Sequence, residues 1–551
     1  MVSELRTHIT HALGSEVDFS IEHPADLAYG DYATNAAMVV AKELGKNPRE
    51  VAEELVEKLS IPGVARIEIA GPGFINFYLE RDFFSGEVQK SLERNESWGT
   101  NELWKGKKVV VEYTDPNPFK EFHIGHVFTN AVGESIARLF IAAGAETKRV
   151  NYQGDVGMHV AKALWGMQQL GFTAEKSCTA RELGKAYALG ATAYTEQEEA
   201  KEAIKTLNAK VYKRSDEAVN ALYDAGRKVS LEYFEEMYAL LGTQFDEYFF
   251  ESEAAPLGKE LVLAHPDIFI ESDGARVFEG EKHGLHTRVF LNSEGLPTYE
   301  AKELALAELK NKKLGGYDHS VISTSNEITE YFKVLKKAMS FVYPELAEKT
   351  EHIGHGTVRL PEGKMSSRTG DVIAGIDFIN EVAERAQEKM GEGADQTLAR
   401  HIAIGAIKYA ILRGSIFQDT VFDKEQALSF EGDSGPYLQY THARIVSVLK
   451  KAAEAGMKSG EGEVPTEPYL LERLLYQFPE VVERALTERS PHHVATFLTT
   501  LAGAFNTFYA QERIADAEDE YAGYKIRLTD AVRLTLKNGL DILGIHAPEQ
   551  M

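Results

Sequence analysis

Cysteine occurs once in the 551 residues, at Cys178, so neither an intramolecular disulfide framework nor a cysteine-rich zinc site can be built. Long apolar runs are missing as well. No stretch of eighteen apolar residues is present, and Met1-Val2-Ser3-Glu4-Leu5-Arg6 lacks the hydrophobic core of a signal peptide, so a soluble cytoplasmic protein with no membrane partner is expected. The third shortage is positive charge: 60 Lys and Arg stand against 85 Asp and Glu, a formal net charge of −25. That balance argues against non-specific nucleic-acid binding through a diffuse basic surface, while leaving room for a local basic face. An RNA partner would be held by restricted patches together with aromatic and shape contacts. What is present is globular in composition, 44% hydrophobic and 26% charged, and too long for a single core, so three or four domains are expected.

The most informative stretch runs from Val109 to Phe140. Val109-Val110-Val111 is a β-branched run of the kind buried in parallel sheets. Asp115-Pro116-Asn117-Pro118 must end that strand, because two prolines remove amide donors and push the preceding residues out of helical angles. From Val127 the apolar residues Ala131, Val132, Ile136, Leu139 and Phe140 take helical spacing. Such a junction of strand end and helix start is where open α/β sheets bind ligands and where free amides favour phosphate. The junction contains Lys120, His123, Ile124, Gly125 and His126. Two histidines three residues apart serve equally well as caps, surface residues or an incidental metal pair. The chain also repeats the tetrapeptide as His352-Ile353-Gly354-His355, ahead of an alternating segment suited to a strand, with no helix start to receive phosphate.

With Asn117 and Lys120 before it and the helix after it, the first copy resembles the HIGH signature of class I aminoacyl-tRNA synthetases. The resemblance implies that His123 and His126 bind ATP phosphates and stabilise charge at the attacked α-phosphorus, while Gly125 lets adenine approach the backbone. Gly363-Lys364-Met365-Ser366-Ser367-Arg368-Thr369-Gly370 is by composition only a basic loop, but in this context resembles the family's KMSKS loop. This implies that Lys364, Met365, Ser366, Ser367 and Arg368 close over the ATP phosphates. Ser367 replaces the usual second lysine, as in many arginine enzymes, and Lys120 would supply the missing charge. Lys120, His123, His126 and Lys364 are thus the expected catalytic set. Mg²⁺ is expected with the ATP, held by phosphate oxygens and water, with no tightly bound protein metal site.

Other stretches narrow the resemblance to arginyl-tRNA synthetases. Gly30–Asn35, Gly45–Arg49 and Gly71–Phe77 resemble the family's amino-terminal extension, which implies tRNA contacts with Phe74, Asn76 and Phe77 as the candidates, burial being an equal alternative for both phenylalanines. Glu251 falls where the family places a glutamate facing the substrate, and Tyr299 with Glu303 resembles its tyrosine followed four residues later by an acid. A guanidinium calls for carboxylates in a fixed fork, so Asn117, Glu251, Tyr299 and Glu303 are the expected arginine ligands, Glu303 departing from the usual aspartate. No glutamine stands in Ser323–Phe332, where the family often has one. Asp155, in Gly154-Asp155-Val156-Gly157, is read as ordering the pocket.

The carboxyl-terminal part reads helical from Ile376 onward. Tyr437, Tyr440 and Arg444 share a helix face; with Tyr509 and the terminal Met551 they match the family's anticodon-binding domain and are the expected tRNA contacts there, against the plain alternatives of core packing and a frayed end. The expected architecture is multidomain α/β: a small α+β N-terminal domain (1–100), a class I Rossmann-like nucleotide-binding catalytic domain (101–375) with a helical insertion at about 161–238, and an all-α anticodon-binding bundle (376–551). The resemblance implies a monomeric enzyme that joins L-arginine, activated by ATP, to the 3′-terminal ribose of its tRNA. A class I enzyme for a neutral amino acid would need a pocket without two acids. A non-enzymatic tRNA-binding relative would lack the phosphate-binding residues, yet His123, His126 and Lys364 are present.

Overall fold

The chain divides into two compact units, each assembled from separated segments. The first joins Met1–Trp98 with Ile445–Phe478 and Leu501–Thr535; the second comprises Gly99–Arg444, Pro479–Thr500 and Leu536–Met551. The computed structural model describes residues 1–175, 178–359, 373–391, 395–460 and 462–551. No helix among them is long and apolar enough to cross a membrane.

The first unit opens with α1 (Val2–Leu13), β1 (Ile21–Glu22), β2 (Tyr32–Thr34), α2 (Ala36–Leu44), α3 (Pro48–Val56), β3 (Val64–Ala70), β4 (Phe74–Leu79) and α4 (Arg81–Arg94). Its antiparallel sheet has the order β1-β2-β4-β3. Helix α3 starts where the sequence predicts: Pro48 fills the first turn, the Asn47 side chain accepts from the Arg49 amide, and Val51, Ala52 and Leu55 turn inward. Apolar side chains of α1 to α3 and of the sheet make one core, which Tyr476 joins from the far end of the chain. Charge reinforces that long-range closure. Glu472, fully buried, accepts from Arg81 at 2.7 Å and from the Tyr524 hydroxyl at 2.6 Å, and Arg473 pairs with buried Asp31.

The second unit is built on five parallel strands, β5 (Lys108–Glu112), β6 (Glu146–Gln153), β7 (Glu247–Phe250), β11 (His319–Ser325) and β12 (Thr350–His355), in the order β12-β11-β5-β6-β7. Between β5 and β6 lies α5 (Ile124–Ala142). Between β6 and β7 come α6 (Met158–Gln169), α7 (Ala180–Glu196), α8 (Glu198–Lys213) and α9 (Glu217–Leu241), which share a core of their own and form the predicted helical insertion. After β7 follow α10 (Glu251–Ala264), an antiparallel trio β8 (Ile270–Ser272), β9 (Ala275–Phe278) and β10 (Arg288–Leu291), and α11 (Tyr299–Lys313). Beyond β11 run α12 (Thr329–Val342) and α13 (Pro344–Lys349), then β12, and thereafter helices, including α14 (Gly375–Met390), α15 (Gln396–Leu412), α16 (Lys424–Ala427) and α17 (Gly435–Glu454). The strand order reverses between β5 and β11, and such a switch point opens a crevice at the carboxyl ends of the strands.

Removing the Glu472 carboxylate while Arg81 stays would leave a half-buried cation without its partner. Glu472→Ala is expected to cost the first unit about 3 kcal/mol, by the size of broken buried pairs, and Glu472→Gln less. An unchanged denaturant midpoint in Glu472→Ala would show that the pair contributes nothing to closure.

Candidate active site

The loop from Tyr113 to Phe119 is held in a conformation that few side chains adopt. Thr114, Asp115 and Phe119 have φ of 78°, 44° and 67°, the left-handed region that β-branched and bulky residues avoid. Hydrogen bonds hold it there: the Tyr152 amide donates to Asp115 Oδ1 at 2.8 Å, the Phe119 amide to the Ser230 hydroxyl at 2.9 Å, and the Asn130 side chain to Thr114 at 3.1 Å. Gly154 makes room for Asn117, whose Oδ1 would lie 2.3 Å from a Cβ at that position. The loop therefore delivers Asn117 to the end of β6 and His123 to the start of α5.

The two histidines of the first tetrapeptide stack with ring centroids 3.6 Å apart. His126 Nδ1 accepts from the His123 backbone amide at 3.1 Å, so the neutral His126 ring carries its proton on Nε2. Burial, assisted by Lys120, lowers His123 to about 4, and burial with His123 beside it holds His126 well below the usual range. Both rings are neutral donors at pH 7. A Cβ at Gly125 would stand 2.9 Å from the His123 ring, so the glycine is required by the neighbouring histidine itself. Lys120 lies over the Tyr187 ring at 4.6 Å, with its ammonium lowered by burial against the pull of Glu251. The second copy behaves otherwise: His352 to His355 lie in β12, His352 stacks on Phe332 at 3.9 Å, and His355 donates to the Gly356 carbonyl at 2.7 Å.

Lys364, Met365, Ser366, Ser367 and Arg368 fall outside the described residues. The chain on the far side of that segment returns to the histidines: the Ile124 amide donates to the Ile373 carbonyl at 3.2 Å and the Gly375 amide to the Phe122 carbonyl at 2.6 Å.

Beside the histidines, at the strand ends, is a cavity of about 580 Å³ lined by His126, Asn117, Glu251, Tyr299 and Glu303 among others. The structure thus gathers all four residues that the sequence assigns to the amino acid. It adds Glu112 and Asp115, two carboxylates that sequence patterns do not single out, because an acid at a strand end or in a proline loop has no signature of its own. Two buried lysines of α11 answer these charges. Lys302 donates to Glu251 at 2.5 Å and Lys310 to Glu112 at 2.8 Å. Burial raises the Glu251 carboxyl while Lys302 opposes the shift. Glu303 has no ion pair among the described residues: burial and the facing Glu112 push it up to about 8, and the same two causes raise Asp115 well above the usual range. Where the sequence offers no glutamine, Ser323, Thr324 and Ser325 of β11 line the wall.

Asp155 ties the site to the insertion. It accepts from the Ser252 amide and hydroxyl, each at 2.8 Å, from Arg227 at 2.9 Å and from the Tyr223 hydroxyl at 3.2 Å. Ser252 follows Glu251, so this clasp fixes where α10 begins.

None of the RNA-contact candidates is among the residues that line the cavity. In the first unit Phe74 is 41% exposed on β4, whereas Asn76, 3% exposed, is buried in the sheet beside Phe77 and offers no free edge. Tyr509 is exposed in the same unit. In the second, Arg444 stands over the Tyr440 ring at 4.8 Å, one turn from Tyr437. The carboxyl terminus is tied to α17 rather than frayed: Gln439 donates to the His546 carbonyl at 2.8 Å and His442 Nδ1 to the Pro548 carbonyl at 2.9 Å, leaving Met551 exposed at the end.

Three family models match: the arginyl tRNA synthetase N-terminal domain over residues 3–79, the tRNA synthetases class I (R) catalytic domain over 87–424, and the DALR anticodon binding domain over 438–551. The arginine–tRNA ligase of Clostridium beijerinckii is 30% identical over 544 residues, 96% of each chain. That of Clostridium perfringens is 30% identical over 570 aligned residues, covering 100% of this chain and 99% of the relative. Among solved structures, the arginyl-tRNA synthetase of Thermus thermophilus superposes with a TM-score of 0.81 at 27% identity, covering 99% of both chains. A strand-ordered crevice with paired histidines, an acid-lined cavity, and matches along almost the whole length converge, and the chain belongs to the arginyl-tRNA synthetase family of class I aminoacyl-tRNA synthetases.

Proposed function

We propose that the cavity takes L-arginine, its guanidinium among Glu112, Asp115, Glu251 and Glu303, with Tyr299 beside the stem and Asn117 at the amino-acid backbone groups. Charge carries this assignment: six carboxylates line the cavity, and the cations of Lys302, Lys310 and Arg288 pair with three of them, Glu251, Glu112 and Glu300. A neutral substrate would leave buried acids without a partner, a penalty that by itself discriminates strongly. The chain is an arginine–tRNA ligase: arginine and ATP give arginyl-adenylate and pyrophosphate, and the arginyl group then passes to the 3′-terminal ribose of the tRNA with release of AMP.

In the first step the arginine carboxylate attacks the α-phosphorus in line, so the protein positions the reactants and stabilises charge. His123 and His126 act as neutral donors to the phosphates, and Lys120, Lys364 and Arg368 bring positive charge, with Gly125, Met365, Ser366 and Ser367 shaping the ATP site. Mg²⁺ accompanies the ATP on phosphate oxygens and water. Phe74, Tyr437, Tyr440, Arg444, Tyr509 and Met551 meet the tRNA, with residues 1–100 and 376–551 as RNA-binding parts and 101–375 as the catalytic part. The reading extends, by the family likeness, to a monomer that works in the cytoplasm.

With tRNA present, arginine is expected to drive exchange of pyrophosphate into ATP while neutral amino acids do not; exchange with a neutral amino acid in place of arginine would overturn the assignment. His126→Ala is expected to cost about 2 to 4 kcal/mol of transition-state stabilisation, seen as a fall in kcat of about a hundredfold or more with arginine binding retained. Glu303 predicts a pH dependence. Its carboxyl near 8 in the empty cavity is lowered once a cation sits beside it, so binding releases a proton. The KM for arginine should therefore fall as pH rises from 6 toward 8, by up to about tenfold per unit, then level off, and Glu303→Gln should flatten the profile. The histidines titrate below this window and cannot produce the effect.

A further inference from the structure

Two tyrosine hydroxyls of the acid-lined cavity are buried without a partner. Tyr152 on β6 and Tyr331 on α12 both line it, and neither hydroxyl has a hydrogen bond among the described residues. A buried hydroxyl left unsatisfied is costly, and native proteins rarely keep one unless a ligand or another group uses it. Both side chains are held in place by other contacts. The Tyr152 amide donates to Asp115 Oδ1 at 2.8 Å. The Tyr331 ring meets Phe332 edge-on at 5.2 Å, with the Arg288 guanidinium 5.8 Å over its face.

The hydroxyls stand among the carboxylates. Burial raises Tyr331 well above its usual range, and the next causes are Glu303, Glu300 and Glu251; for Tyr152 burial is followed by Glu251, Glu303 and Tyr331 itself. Both therefore keep their protons. A guanidinium brings five N–H donors and no acceptor, so every partner it meets must accept. A further carboxylate would add buried charge where Glu303 and Asp115 are already raised. A hydroxyl oxygen accepts an N–H without that cost, and its own proton can go to a neighbouring carboxylate. A planar fork of donors can meet two acids and two hydroxyls at once, which a single ammonium with three donors cannot.

We propose that Tyr331 and Tyr152 are specificity-determining residues for the amino acid, their hydroxyl oxygens accepting N–H bonds from the substrate guanidinium between Glu303 and Glu251. The proposal rests on the arginine reading of the cavity and deepens it by naming the uncharged partners of the guanidinium. The acids supply attraction for any cation; the hydroxyls select the cation with enough donors in one plane. Phenylalanine at either position keeps the ring contacts and removes only the hydroxyl.

The test is pyrophosphate exchange by the full chain with tRNA present. Tyr331→Phe and Tyr152→Phe are each expected to raise the KM for arginine about tenfold or more, with the KM for ATP within about twofold of wild type. Agmatine, which keeps the guanidinium and lacks the carboxylate, should lose potency as an inhibitor by the same factor. The thermal midpoint of the ligand-free chain should stay level or rise, because an unpartnered buried hydroxyl is removed. An unchanged KM for arginine would overturn the proposal. So would a raised KM for ATP, which would assign the hydroxyls to the nucleotide, or a loss seen with arginine and not with agmatine, which would place them at the amino-acid backbone groups. A lowered midpoint of the ligand-free chain would make them part of the packing instead, and would also overturn it. If the wild-type chain shows no exchange with arginine, the arginine reading itself fails, so the two failures are distinguishable.

Discussion

The site depends on buried charge that is only partly matched. Four carboxylates, Glu112, Asp115, Glu251 and Glu303, meet at the strand ends, and helix α11 sends two ammonium groups toward them, Lys310 to Glu112 and Lys302 to Glu251. Ionised carboxylates out of water are costly unless paired, so burial and the neighbouring Glu112 raise the two without lysines, Glu303 and Asp115, above the usual carboxylate range. On the proposed assignment a guanidinium with five donors completes the set, which makes specificity for arginine a property of charge balance as much as of shape. The same two ion pairs fix geometry, since they tie α11 to β5 and to the start of α10 and so hold the cavity's opposite walls together.

Backbone strain sits in the same place. Three non-glycine residues with positive φ cluster in the Tyr113–Phe119 part of the loop between β5 and α5, at about 1 to 3 kcal/mol each. The hydrogen bonds from Tyr152, Ser230 and Asn130 over-determine that loop, and each partner lies on a different element: β6, α9 and α5. A relaxed loop would draw Asn117 away from Gly154 and His123 off the start of α5. The strain is thus tied to positioning both substrates at once, and the insertion, through Ser230, takes part in it.

Much of this was legible in the sequence because it rested on local patterns. The β-branched run, the proline loop and the helical spacing that follows identify β5 and α5, and the alternation after the second tetrapeptide separates it from the first, which the structure places inside β12. Glu251, Tyr299, Glu303 and Asn117 were named from motif likeness and do line one cavity. What was not legible depends on parallel pairing between distant segments. Glu112 and Asp115 become cavity acids only when β11 lies beside β5, and Lys302 and Lys310 look like ordinary charges of a polar helix until α11 packs with that face inward. Asn76 shows the converse. Its motif is recognisable, but the pairing of β4 between β2 and β3 buries the side chain, a consequence of sheet order that no local pattern carries.

The net charge poses a final question, because an RNA polyanion must dock on a chain of −25. At physiological salt the Debye length is about 8 Å, so most of the acidic surface is screened from a given phosphate and only nearby groups decide contact. Close range is where the structure departs from its average: the paired histidines at the start of α5 are neutral, and cations of the insertion and α10 gather in a second cavity. Neutral donors hold a triphosphate less tightly than cations would, which favours stabilisation that grows as charge develops at the attacked phosphorus. Acids line the first cavity and lysine and arginine side chains the second, so the two set opposite fields a few residues apart across the boundary between Glu251, which lines one, and Ser252, which lines the other.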